Sequence, residues 1–392
     1  MPQPFAQRVA DIGTSIFTTM TALSVQHNAI NLGQGFPDFA APALVKQSAV
    51  DAILADHNQY APSPGALVLR EAVAAAYAET YGLAFDPQSE VTITSGATEA
   101  LFAVMQALLD PGDEVIMFDP AYDGYAPDIR MAGGVPRPVA LTPPTSVADP
   151  QWHFDASALR AAVGPRTRAI IINTPHNPTG KVYTQAELQQ IAQLCCDHDL
   201  IAIADEVYDR LVFEGVHQPI AALPGMRERT ITINSTGKTF SATGWKIGYT
   251  LAPPPLTDAI RRAHQFITFA VPHPLQIGMA AAVQDARTSD YYGQLLGDYR
   301  ERRTWLLEGL EGAGLEPWAP DGAYFVLTPL PPGWDDDLAF CHHLVRSVGV
   351  AAIPVSGFYT APPVAHFVRF CFAKTPATLQ AAALRLAKLR NM

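Results

Sequence analysis

VTITSGATEALFAVMQALL, residues 91–109, joins a β-branched run to a helical face. Val91–Thr94 reads as a strand, whereas Leu101, Met105, Leu108 and Leu109 recur at helical spacing and the run stops before Pro111 and Gly112. The same rhythm extends outward. EVIMF (114–118), AIIIN (169–173), LIAIA (200–204), TITIN (230–234) and IGYTLA (247–252) are short apolar runs separated by loops and helix-like stretches. Such alternation predicts a wound α/β sheet. Beyond about Pro274 the pattern turns to YYGQLLGDYRERRTWLLEGLEGA (291–313), AYFVLTPL (323–330), AFCHHLVRSVGV (339–350) and HFVRFCFA (366–373), which predicts a second, α+β part. The Pro-rich pieces LTPPTSVADP (141–150), LAPPPL (251–256) and PLPPGW (329–334) read as surface loops.

The chain has 392 residues, 48% of them hydrophobic and 16% charged, enough for two cores. A formal net charge of -11 without basic stripes argues against a nucleic-acid partner. The opening MPQPFAQRVADIGTSIF breaks its apolar residues with Gln, Arg and Asp, and no uncharged apolar run reaches bilayer-spanning length, so no membrane association and a cytoplasmic location are expected. Four cysteines give neither a disulfide framework nor metal-ligand spacing. Cys341, His342 and His343 are consecutive, and side chains consecutive on a helix diverge, so no metal is expected.

In a wound sheet, ligands sit beyond the carboxyl ends of the strands. Ser95-Gly96-Ala97-Thr98, between strand and helix, offers free N–H groups and a helix dipole to a phosphate, or else is a plain turn with Thr98 as a cap. Asp205 follows LIAIA, where a buried carboxylate needs a cationic partner such as a protonated pyridine nitrogen; the alternative is a helix N-cap. Lys238 follows TITIN on a Gly-containing turn, bracketed by Ser235 and Lys246. Schiff-base chemistry needs a lysine that can lose its proton, which desolvation beside other cations achieves. Its rivals, Lys181 and Lys374, lack a preceding strand with Ser three residues before, and an ordinary lysine sits in solvent. Asn177, before Pro178, lies on a turn beyond AIIIN.

These features come together in motifs. NLGQGFPDF (31–39), NQYAP (58–62), SGATEAL (95–101), DPAYDGYAP (119–127), NTPHNPTG (173–180), ADEVYD (204–209), GKTFSATGWKIGY (237–249) and RFCFAK (369–374) resemble the fold-type I, class I/II aminotransferases that use pyridoxal 5'-phosphate (PLP). Within them the similarity is to the bacterial methionine and the kynurenine (glutamine-type) aminotransferases. The resemblance implies a large domain with a mostly parallel wound sheet at 41–285, a smaller α+β domain at 286–392, and an N-terminal arm, 1–40, packed with the small domain.

It also implies roles. Lys238 carries the cofactor as a Schiff base and then moves the proton. Asp205 pairs with the pyridine nitrogen, while Asn177 and Tyr208 bond the phenolic oxygen. Gly96, Ala97, Thr98, Ser235 and Lys246 hold the phosphate, Tyr122 stacks on the ring, and Tyr60 reaches the neighbouring subunit's phosphate in a homodimer with shared sites. Arg369 clamps the substrate carboxylate bidentately, assisted by Gly35 and Asn177. Where dicarboxylate enzymes supply a second arginine, HQFITFAVP (264–272) offers Phe269 and Ala270. With Phe17 and Tyr122, Phe269 suggests a pocket for uncharged or aromatic side chains. The implied reaction is ping-pong transamination between a neutral or aromatic amino acid and a 2-oxo acid. A cysteine-S-conjugate β-lyase is the neighbouring alternative. A non-catalytic sensor is disfavoured, because the segment before NLGQG is too short for a DNA-binding module.

Overall fold

The structure, a computed structural model, describes residues 5–10, 12–146 and 151–391. The first four residues of the opening stretch and 147–150, which end LTPPTSVADP, lie outside the described residues.

In chain order the strands are β1 (Ile30–Asn31), β2 (Val91–Ser95), β3 (Glu114–Asp119), β4 (Val135–Thr142), β5 (His153–Phe154), β6 (Thr167–Asn173), β7 (Ile201–Asp205), β8 (Thr230–Ser235), β9 (Ile247–Leu251), β10 (Phe325–Pro329), β11 (Val350–Ala351), β12 (Ile353–Pro354) and β13 (Phe367–Cys371). Among the described residues β2 to β9 form one sheet of order β2-β9-β8-β7-β6-β3-β4-β5. Its ladders are parallel except around β9 and at the edge strand β5.

The β-branched runs are buried on both faces because helices cover both sides of the sheet, and their threonines are buried with the isoleucines. Successive side chains alternate: Ile170, Ile172, Ala202 and Ala204 pack with Leu188 and Ile191 on one side. Ala169, Ile171, Ile203, Ile231 and Ile233 pack with Leu101, Met105 and Ile260 on the other. Burying each such Ile contributes about 1.5–3 kcal/mol, which fixes the register against a one-residue slip.

Register sets the functional edge. Asn173 pairs with Asp205, and Asp205 with Ile233, so β6, β7 and β8 end side by side. Antiparallel β9 begins at the same edge, opposite Ser95 and Ser235. The helix Gly96–Leu108 leaves β2 there.

Antiparallel β10-β13-β12 form a second sheet, and β1 pairs in parallel with β11. Met20 and Leu32 from the N-terminal part share a core with Phe325, Phe340 and Phe370. One loop expectation needs correcting: in LAPPPL, Pro253 is the N-cap and Pro254 and Pro255 open the helix Pro254–Ile267. Proline suits a first helical turn, whose N–H groups have no intrahelical partner. Likewise AFCHHLVRSVGV divides into an α-helix, Asp337–His343, and a π-helical turn, Leu344–Val348.

Candidate active site

A cavity of about 280 Å³ opens at the carboxyl ends of the strands, lined by Gly35, Gly96, Ala97, Thr98, Tyr122, Asn177, Asp205, Tyr208, Ser235, Lys238 and Lys246. Eleven positions singled out in the sequence thus converge on one space.

Lys238 stands on a four-residue helical turn, Thr236–Thr239, directly after β8, where the sequence suggests only a turn. Ser235 caps that turn, its hydroxyl accepting from the Gly237 N–H at 3.3 Å. Lys238 Nζ donates to the Gly35 carbonyl at 3.2 Å. Burial pushes its ammonium down to about 8; Arg369 and Lys246 push the same way, while Cys371 and Asp205 oppose. A lysine so placed loses its proton far more readily than one in solvent.

Asp205 ends β7 and is only 4% exposed. Tyr125 donates its phenol to Oδ2 at 2.6 Å, and the Val207 N–H reaches Oδ1 at 3.4 Å. Burial raises its carboxyl to about 6 against those two bonds and Lys238. No helix begins after it, so the N-cap alternative fails.

At the head of the helix Gly96–Leu108, Gly96 has φ +73°, a backbone that a side chain rarely adopts. A Cβ there would come 3.3 Å from Lys246 Nζ, which donates to Thr98 Oγ1 at 3.0 Å. Gly248 lies closer still: a Cβ would meet the Gly96 carbonyl carbon at 2.5 Å and the Ala97 nitrogen at 2.6 Å. Two glycines therefore let β9 press against the turn. Free N–H groups, a lysine and the Ser235 hydroxyl meet there, a donor set suited to a phosphate. Thr98 sits inside the helix, so the reading of it as a cap fails. Tyr122 lines the cavity beside Thr98, with burial raising its phenol to about 12.

Arg369, in β13, is 1% exposed. Nη1 donates to Asn177 Oδ1 at 2.6 Å and Nη2 to the Gly33 carbonyl at 2.8 Å, while Nε has no partner. Phe325, Phe358 and Phe17 face the guanidinium at 3.9, 4.9 and 5.1 Å from their ring centroids. Burial lowers the guanidinium to about 10. Phe17 thus flanks the arginine and does not line the cavity. Gly35 presents its carbonyl to Lys238 and to the Tyr324 hydroxyl. Tyr208 is buried, its ring centroid 5.0 Å from that of Tyr324.

Tyr60 and Phe269 stay out of this cavity; Tyr60 is 82% exposed and meets the Phe269 ring edge-on at 5.3 Å. Lys181 and Lys374 are not solvated, as an ordinary lysine is expected to be. Lys181 pairs with Glu187 at 2.8 Å, and Lys374 donates to the Gln34 and Phe36 carbonyls. Burial alone therefore does not single out Lys238; opening onto the cavity does. Tyr125 and Tyr324 also meet the site residues, and no strand-end position or charge pattern marks them in the sequence, although Tyr125 lies within DPAYDGYAP. Among the described residues no three His, Cys, Asp or Glu side chains converge to hold a metal, and no helix is long and apolar enough to cross a membrane.

The chain is similar to known proteins well beyond this site. Residues 27–386 match the family model for aminotransferase class I and II. A methionine aminotransferase of Escherichia coli is 41% identical over 97% of each chain. Kynurenine–oxoglutarate transaminase 1 of Homo sapiens is 38% identical over 98% of this chain and 97% of its own. The solved structure of N-succinyldiaminopimelate aminotransferase from Mycobacterium tuberculosis superposes with a TM-score of 0.94 at 42% identity, covering 98% of this chain and 100% of that one. Sheet order, fold-wide superposition and full-length sequence match agree: the chain is an enzyme of the class I and II aminotransferases and has their fold-type I architecture.

Proposed function

We propose that the enzyme uses pyridoxal 5'-phosphate to move the α-amino group of a neutral or aromatic amino acid, of the methionine, glutamine, kynurenine or phenylalanine type, to a 2-oxo acid by a ping-pong mechanism. One observation carries the substrate class. Arg369 does not itself line the cavity but is buried beside it, bonded to the cavity-lining Asn177 and carrying an unpartnered Nε, and 264–272, the stretch expected to hold a second arginine in dicarboxylate enzymes, carries Phe269 and Ala270. One buried fork suits one carboxylate, the α-carboxylate, and the two lysines of the lining are taken up by the cofactor in this reading. The methionine and kynurenine names of two relatives support the same class.

The residues present fit the cofactor. Gly96, Ala97, Thr98, Ser235 and Lys246 form a phosphate cradle that a Cβ at Gly96 would crowd. Asp205, raised to about 6 by burial, is a carboxyl that a ring cation would return to its ionised form. When bound, pyridoxal phosphate supplies a carbonyl that condenses with amines and a ring that takes up the electron pair left at the substrate's α-carbon. Lys238 holds and moves the proton at that carbon, its Nζ being readily neutral. Arg369 and Asn177 orient the substrate carboxylate, with Gly35 and Phe17 beside them. Asn177 and Tyr208 would hold the cofactor's phenolic oxygen and Tyr122 its ring, all three lining the cavity.

The division into an arm (1–40), a large domain (41–285) and a small domain (286–392) is part of the proposal, supported by the separate sheets and the core shared by Met20, Leu32 and Phe370. So are a homodimer, supported by the exposed Tyr60–Phe269 pair, and a cytoplasmic location, supported by the acidic composition.

The test is a panel of amino donors offered to the purified enzyme with one 2-oxo acid, each product quantified. Methionine, glutamine, kynurenine or phenylalanine should lead. Faster transfer from aspartate or glutamate would overturn the substrate class, and pyruvate release from a cysteine conjugate exceeding methionine transfer would favour the β-lyase.

A further inference from the structure

His264, in the helix Pro254–Ile267, has no exposed surface. Its Nδ1 lies 2.6 Å from Glu99 Oε1 and its Nε2 lies 2.8 Å from the Ser63 carbonyl oxygen. The other Glu99 oxygen accepts the Ser95 N–H. Both ring nitrogens thus face acceptors. Beside an ionised Glu99, an imidazole with these two acceptors donates from both nitrogens, which is the imidazolium form. Burial works against that charge, but the bonds from Glu99 and Ser63 outweigh it and raise the group's pKa.

Glu99 lies in the first turn of the helix Gly96–Leu108, on the residues proposed to hold the phosphate. A carboxylate there braces the turn but repels a dianion. It also acts on Lys246, whose ammonium burial lowers and Glu99 raises.

We propose that Glu99 and His264 are a charge-compensated pair of positioning residues for the phosphate site. Glu99 fixes the β2-to-helix turn through the Ser95 N–H. The His264 imidazolium cancels the carboxylate's charge, so that the brace does not oppose the phosphate, and it ties the turn to Ser63, three residues beyond Tyr60. The inference rests on the reading of Gly96–Thr98 as the phosphate cradle. Neither residue lines the cavity.

The test combines spectroscopy with binding. In 15N-histidine-labelled enzyme loaded with pyridoxal 5'-phosphate, both His264 nitrogens should resonate as protonated, assigned by loss of the signals in His264→Gln. A neutral ring would overturn the proposal, and this measurement uses the unaltered protein even if a variant folds poorly. For binding, His264→Gln should weaken affinity for pyridoxal 5'-phosphate and for inorganic phosphate roughly tenfold. Adding Glu99→Gln to it should restore most of that loss, because the uncompensated charge is gone. An unchanged affinity in His264→Gln, or a double variant as weak as the single one, would refute charge compensation. If the wild type and variants showed this order with inorganic phosphate while the wild type failed to bind pyridoxal 5'-phosphate, the pair's role would stand and the cofactor reading would fall.

Discussion

Arg369 Nη1 donates to Asn177 Oδ1 at 2.6 Å, across 192 positions of sequence. The bond joins the second sheet to the turn beyond β6, so that the proposed carboxylate fork and the proposed cofactor contact are set by one interaction. The fork is planar and its second arm is fixed on the Gly33 carbonyl.

Arg369→Lys should therefore lower kcat/KM for methionine by roughly 10–100-fold, mainly through KM, since an ammonium cannot reproduce two parallel bonds to a carboxylate. Cofactor absorbance should be retained. Steady-state kinetics with methionine decides it; an unchanged KM would remove Arg369 from substrate binding.

Lys238→Ala should abolish amino-group transfer, measured as product amino acid over hours. In the cofactor-free wild type, only the neutral amine attacks a carbonyl. Because burial holds Lys238 at about 8, the rate of pyridoxal 5'-phosphate capture should rise with pH through about 8, well below the ~10.4 of a free lysine. A midpoint above 10 would contradict the desolvated setting.

For Asp205 the sign runs opposite to that of a salt-bridged carboxylate. Burial raises it to about 6, so between about pH 4 and 6 the folded state binds more protons than the unfolded state, and stability falls as pH rises. Asp205→Asn should therefore stabilise the cofactor-free protein at pH 7, by on the order of 2–3 kcal/mol, with the two proteins converging near pH 4. Thermal melts at both pH values test this. The same variant should transaminate roughly 100-fold more slowly; near wild-type turnover would rule out its proposed role at the ring nitrogen.

Gly248→Ala would place a Cβ 2.5 Å from the Gly96 carbonyl carbon, a backbone atom that cannot swing aside. A loss of about 1–3 kcal/mol of stability is expected, with weaker cofactor binding as the turn is displaced. Gly244→Ala, where nothing lies within 4 Å, is the matched control. Equal melting temperatures for the two variants would show that the approach of β9 to the helix is not tight.

What the sequence determined by itself was local. Six apolar runs, the strand-to-helix turn at Gly96, and the placing of Asn177, Asp205 and Lys238 after strands are encoded over a few residues each, through periodicity, β-branching and turn chemistry. The family's motifs added the proposed roles, including that of Arg369. Tertiary structure decided which ends became neighbours. Strand order puts β7 between β6 and β8, and only then do Asn173 and Asp205 share a register. Tyr125 meeting Asp205, His264 meeting Glu99, and Lys181 and Lys374 being buried on internal partners all depend on segments far apart in sequence. Such partners are chosen by the packing that brings their segments together, and no local pattern around a tyrosine, histidine or lysine specifies which acceptor it will find.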